Sequence, residues 1–143
     1  MFRVQKDFYK IYILNMGMPP KEIKILVVDD HAMIRNIIKD ILTKLGYSNI
    51  KDAENGMQAI EKLKAEKFDL IFLDWNMPVM QGIDVLREIR KIPAYKDTPV
   101  IMVTAEAEKE KVLAAIQEGV TNYIVKPFKP ATLKEKLAES WKD

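Results

Sequence analysis

Five times along this chain a short apolar or β-prone run gives way to residues with helical spacing. The first run, Ile25-Leu26-Val27-Val28, is unbroken and stops at Asp29-Asp30. A continuous apolar run of that length reads as a strand buried on both faces, the kind a parallel sheet uses. Ala32 to Leu45 then carries Met33, Ile34, Ile37, Ile38, Ile41, Leu42 and Leu45 on one helical face, with Gly46 as its stop. Ile50 to Ala53 is a short, weak strand, and Gly56 to Glu66 a second helix. Leu70 to Asp74 is the third strand and Gly82 to Lys91 the third helix. Pro99 to Thr104 is a fourth strand, Lys109 to Glu118 a fourth helix closed by Gly119, and Asn122 to Val125 a fifth strand. Pro130 to Trp141 is the last helix, with its proline in the first turn. This alternation predicts an α/β fold: a parallel sheet, helices on both faces, right-handed crossovers.

The alternation begins only after Pro19-Pro20, which cannot sit inside a helix and mark a boundary. Residues 1–20 are expected to be an N-terminal extension, disordered or loosely docked, and residues 21–143 one domain. Met16 and Met18 also leave room for a start just before the domain. Phe8, Tyr9, Ile11 and Tyr12 in the extension are candidates for a binding role. Lys6, Asp7 and Lys10 interrupt any apolar region there, which argues against a signal peptide. No apolar run approaches the length of a membrane span, so an intracellular, cytoplasmic protein is expected. Lysine and arginine total 23 against 21 acids, a balance that gives nucleic acid no concentrated basic face to bind. With no cysteine and one histidine, disulfides, thiol chemistry and multi-histidine metal sites within the chain are excluded.

Chemistry collects where the runs end. Strand one ends in Asp29 and Asp30, strand three in Asp74, strand four in Thr104, and strand five in Lys126 followed by Pro127. In open α/β sheets ligands bind outside the carboxyl ends of the strands, so these side chains can converge. Two unit charges about 4 Å apart at an effective dielectric near 20 repel by about 4 kcal/mol. Three carboxylates therefore need neutralising. Lys126 supplies one positive charge, and a hard divalent cation with oxygen ligands, Mg²⁺ first, would supply the rest. A carboxylate beside Mg²⁺, with a lysine and a hydroxyl nearby, suits phosphoryl transfer. Asp74 could attack as a nucleophile and form an acyl phosphate, its oxygens met by Mg²⁺, Lys126 and Thr104. Taken singly, each residue has a plainer use: Asp29 or Asp30 as a helix cap, Thr104 as a strand end, Lys126 as a solvated charge. All of them at the same end of their strands are harder to explain that way.

The Asp29-Asp30 pair, the Asp74-Trp-Asn-Met-Pro box with Gly82, the Thr104-Ala pair and the Lys126-Pro-Phe triplet resemble the receiver domains of two-component response regulators. The likeness runs from about residue 23 to the end, and is strongest to the stand-alone CheY-type chemotaxis regulators. It implies the flavodoxin-like strand order 2-1-3-4-5. It implies Asp74 as phosphoacceptor, Asp30, Asp74 and the Asn76 main-chain carbonyl as Mg²⁺ ligands, and Asp29 acting mainly through water. Lys126 and Thr104 would contact the phosphoryl group, with a cis Lys126-Pro127 bond. Tyr123 would turn inward as Thr104 moves, and Asn76 and Glu106 would tune dephosphorylation. Ala107, Lys109, Tyr123 and Lys136 would face a partner. The expected partners are a histidine kinase as phosphodonor and a target protein such as the flagellar motor switch, for a monomer that catalyses only its own phosphorylation and dephosphorylation. Because the sequence ends one helix after Lys126, no output domain is expected. The alternatives are a phosphorelay shuttle, a regulator of another pathway, or a small-molecule phosphohydrolase. Such enzymes usually carry a second acid two residues past the nucleophile, where this chain has Asn76. His31 is expected to be a surface residue opening the first helix, and Trp75 to report the site by fluorescence.

Overall fold

The computed structural model describes residues 17–105 and 109–142, Lys109 by its backbone alone. Its strands are β1 (Ile25–Val28), β2 (Ile50–Ala53), β3 (Leu70–Asp74), β4 (Val100–Thr104) and β5 (Asn122–Val125). Its helices are α1 (Ala32–Lys44), α2 (Gly56–Ala65), α3 (Gly82–Lys91), α4 (Lys109–Gln117) and α5 (Pro130–Ser140), with a 3₁₀ turn at Pro93–Tyr95. All five strands are parallel, in the order β2-β1-β3-β4-β5. Among the described residues no helix is long and apolar enough to cross a membrane.

The order explains why the strands differ so much in sequence. The three central strands are buried at every position, and they are the three with unbroken apolar runs. β2 and β5 form the edges and alternate exposed with covered residues, which is why Ile50-Lys-Asp-Ala53 reads weakly.

Alternate strand residues feed two cores. On one face Leu26, Val28, Ile71, Leu73, Val100 and Met102 pack with Ala59 and Leu63 of α2, Val85, Leu86 and Ile89 of α3, and Ala115 of α4. On the other, Ile25, Val27, Leu70, Phe72, Ile101, Val103 and Ile124 pack with Ile38, Ile41 and Leu42 of α1 and Leu133 and Leu137 of α5. Two helices on one face and three on the other hold the sheet rigid and leave its carboxyl rim open.

The residues just before β1 are part of this packing. Met18 lies against the second core, and the fully buried Tyr47 donates its hydroxyl hydrogen bond to the Pro19 carbonyl at 2.7 Å. Burial pushes the Tyr47 phenol up to about 12. Residues 1–16, including Phe8, Tyr9, Ile11 and Tyr12, lie outside the described residues. At the opposite rim from the acids, Tyr95 is buried with its hydroxyl donating to the Leu63 and Glu66 carbonyls at 2.6 and 2.8 Å, closing the base of α2.

Candidate functional site

Strand register sets the heights of the chemical groups. Val28 pairs with Leu73, so Asp29 and Asp74, one residue further along each strand, stand side by side on the central pair. Asp74 pairs with Val103, and Thr104 pairs with Val125. Thr104 therefore stands one step further out, and Lys126 one step beyond Val125. Both acids are almost wholly buried: Asp29 is 0% exposed and Asp74 3%. Thr104 is 4% exposed.

Lys126 Nζ lies 3.1 Å from Asp29 Oδ2 and 3.1 Å from Asp74 Oδ1, bridging residues 97 and 52 positions away in sequence. One ammonium cannot balance this site. Burial, then the neighbouring charge of Asp29, pushes the Asp74 carboxyl up to about 6, against the pull of Lys126. Burial works against the Lys126 ammonium, but Asp74 and Asp29 outweigh it and hold its pKa above the ordinary lysine value. Asp74 is thus ionised near neutral pH, but only against a residual penalty that further positive charge would remove.

Asp29, Asp30, His31 and Asp74 each offer a ligand atom, all within 4.8 Å of one another. Asp30 Oδ1 is shut off from solvent yet accepts no hydrogen bond; the ring nitrogen Nδ1 of His31 lies 3.1 Å away. A rim of carboxylate oxygens with one buried oxygen left over fits a hard divalent cation. Asp29 is already fixed in place, its Oδ1 accepting from the His31 backbone N–H at 2.8 Å and its own N–H bonded to the Ala53 carbonyl.

The loop after β3 is held close against the strand. The Gly82 N–H donates to the Trp75 carbonyl at 2.8 Å, and the glycine α-carbon approaches so closely that a Cβ there would lie 2.2 Å from the Asp74 carbonyl oxygen. Between them Val79 adopts a φ of +70°, a left-handed conformation that costs a branched residue about 1–2 kcal/mol. The Lys126-Pro127 bond is cis, as the resemblance implied.

A sequence profile described as "Response regulator receiver domain" matches residues 25–138. The chain belongs to the response regulator receiver family. Chemotaxis protein CheY-3 of Vibrio cholerae is 51% identical over 117 residues, 82% of this chain and 90% of that protein. The solved structure of V. cholerae chemotaxis response regulator CheY4 matches with a TM-score of 0.80 at 37% identity, covering 84% of this chain and 99% of that one. A sensor histidine kinase receiver domain from Pseudomonas aeruginosa, described with magnesium coordinated in its active-site cleft, matches with a TM-score of 0.76 at 31% identity, covering 83% and 97%.

Within this receiver, five residues read from sequence meet at one rim: Asp29, Asp30, Asp74, Thr104 and Lys126. Asn76 follows in the loop with its side chain exposed. Glu106 and Ala107 lie outside the described residues, as does the side chain of Lys109. Tyr123 is partly exposed at 37%, with Lys136 Nζ 5.4 Å from its ring centre. A narrow crevice behind Thr104 is lined by Trp75, Met102, Thr104, Ala115, Val120 and Tyr123. His31 is exposed as expected, but its ring leans over the acid pair, 3.4 Å from Asp29 Oδ1. The sequence reading missed Arg35. It reads as one polar position on an amphipathic helix, yet it donates to the Asp29 carbonyl at 2.7 Å and to Asp52 Oδ2 at 2.9 Å. No local pattern announces a contact between α1 and β2.

Proposed function

We propose that this receiver is a phosphorylation-activated switch whose Asp74 takes a phosphoryl group from a histidine kinase. The observation that carries the reading is the bridge from Lys126 to both Asp29 and Asp74, 3.1 Å each, with the buried Thr104 hydroxyl at the neighbouring strand end.

Asp29, Asp30 and Asp74, with the Asn76 carbonyl, would hold Mg²⁺. When bound, Mg²⁺ supplies positive charge to the phosphoryl oxygens and offsets the repulsion among the acids. An Asp74 carboxylate oxygen attacks phosphorus in line with the P–N bond of a phosphohistidine. A P–O bond forms, the P–N bond breaks, and the imidazole nitrogen keeps the electron pair. Lys126 and Thr104 bind phosphoryl oxygens as they develop. Thr104 is drawn toward the phosphoryl group, and Tyr123 turns into the crevice behind it. This biases a two-state surface on α4, β5 and α5, where Tyr123 and Lys136 already meet. Asn76 in place of a second acid favours a stable acyl phosphate over enzymatic turnover, so catalysis is confined to the chain's own phosphorylation and dephosphorylation. The identity to a chemotaxis regulator makes the flagellar motor switch the proposed target.

The protein with Mg²⁺ and a phosphohistidine donor is expected to take one phosphoryl label, and an Asp74→Asn variant none. An unlabelled wild type, or a labelled Asp74→Asn, would sink the reading. Recovery of a motor switch protein only by the phosphorylated form would support the target. Recovery of a phosphotransfer protein instead would point to a relay.

A further inference from the structure

We propose that Arg35 is a positioning residue for the cation site: its guanidinium ties the Asp29 main chain to Asp52 on edge strand β2 and so fixes both acids of the Asp29-Asp30 pair. The inference rests on the metal-binding reading above.

Arg35 sits one turn into α1 with only 14% of its side chain exposed. Its fork spans two acceptors, one just past the end of β1 and one on β2: Nη1 donates to the Asp29 carbonyl at 2.7 Å, and Nε to Asp52 Oδ2 at 2.9 Å. Asp29 is then held at four points: its N–H on Ala53, its two carboxylate oxygens on the His31 N–H and the Lys126 ammonium, and its carbonyl on Arg35. The Asp29 carbonyl belongs to the peptide that carries Asp30. Releasing it frees the backbone that aims Asp30 Oδ1, the buried oxygen without a hydrogen bond. A lysine cannot copy this arrangement, because a single ammonium lacks the planar fork that reaches both acceptors in fixed geometry.

The surroundings separate positioning from mere support. Asp52 does not depend on Arg35 alone. Lys39 Nζ lies 3.1 Å from the same Oδ2, and Lys62 donates to the Asp52 carbonyl. Burial acts to raise the Asp52 carboxyl, but its hydrogen bonds and ion pairs with Lys39 and Arg35 hold it below its ordinary value, so it stays charged. Removing Arg35 therefore leaves Asp52 paired, while the Asp29 carbonyl loses its guanidinium. Outer partners of this kind typically change metal affinity about 10–100-fold.

The test is a Mg²⁺ titration of the full chain, by calorimetry and by Trp75 fluorescence, for wild type, Arg35→Ala, Arg35→Lys and Asp52→Asn. Thermal melts in chelator run alongside. Arg35→Ala is expected to weaken Mg²⁺ about 10-fold or more. Arg35→Lys should recover the metal-free melting temperature without recovering the affinity, and Asp52→Asn should show a smaller loss. Arg35→Ala binding within about twofold of wild type, or Arg35→Lys restoring full affinity, would overturn the proposal while leaving the metal reading intact. A wild type that binds no Mg²⁺ would overturn both.

Discussion

Asp74→Asn is expected to abolish phosphorylation and, at the same time, to stabilise the metal-free protein by about 1–3 kcal/mol above pH 6. The loss follows because an amide offers no anionic oxygen to attack phosphorus. The gain follows from the electrostatics of the site. Burial and Asp29 raise the folded-state pKa of Asp74 from 3.8 to about 6. Between those values the folded chain keeps a proton that the unfolded chain has lost. Unfolding then releases that proton, so stability falls as pH rises from about 4 to 6 and stays reduced above it. Below about pH 4 both states are protonated and the effect vanishes. Asn resembles the protonated form at every pH. Urea melts in chelator should therefore show wild type and variant converging near pH 4 and separating toward pH 8. For a domain of this size the gap corresponds to several degrees in melting temperature. Mg²⁺ should narrow it by stabilising wild type more than the variant. A pH-independent difference, or a variant less stable at pH 8, would show that Asp74 is not strained by its neighbours.

Gly82→Ala should be the most damaging single-methyl change in the chain, costing about 3 kcal/mol or more. The added Cβ would meet the Asp74 carbonyl oxygen at 2.2 Å, the Trp75 α-carbon at 2.9 Å and the Asp74 carbonyl carbon at 3.1 Å. All three are main chain, so no rotamer change relieves them. The strand end that carries Asp74 must move, or α3 must. Gly56→Ala is the informative comparison. Its Cβ would meet Val85 Cγ2 at 2.7 Å and Met80 Sδ at 2.9 Å, both side-chain atoms, and the methionine can swing aside. Denaturant melts should rank Gly82→Ala well below Gly56→Ala, and Mg²⁺ affinity should fall with the first more than with the second. Equal losses would mean that the loop yields and that Gly82 does not clamp the strand end.

The parts of this molecule that could be read from sequence are those written in local periodicity. Ile25 to Val28, Leu70 to Leu73 and Val100 to Val103 are continuous because they are central, and their terminal Asp or Thr stands where the apolar run stops. That is why the rim residues could be found without coordinates. Strand order was not legible that way: alternation alone permits several orders, and 2-1-3-4-5 came with the family resemblance. Three further features depend on distant contacts. Arg35 finds Asp52 and the Asp29 carbonyl across element boundaries. Tyr47 reaches Pro19, 28 positions back. Val79 takes a left-handed φ in a loop whose path is dictated by how closely Gly82 approaches Trp75. Each looks ordinary in its own neighbourhood, as a polar helix position, an aromatic after a helix and a branched loop residue.

The parallel register has a practical consequence for anyone modifying this protein. The site is assembled by counting residues from the strands' carboxyl ends, and adding one residue to β3 would turn Asp74 to the opposite face. The connections at the other rim carry no such count. The exposed turn at Lys96-Asp97 lies a full strand length below the acids. A reporter domain spliced there would ride on the sheet without altering the spacing of Asp29, Asp74, Thr104 and Lys126. The same cargo inserted between Asp74 and Gly82 would pull apart the contact that holds the strand end in place.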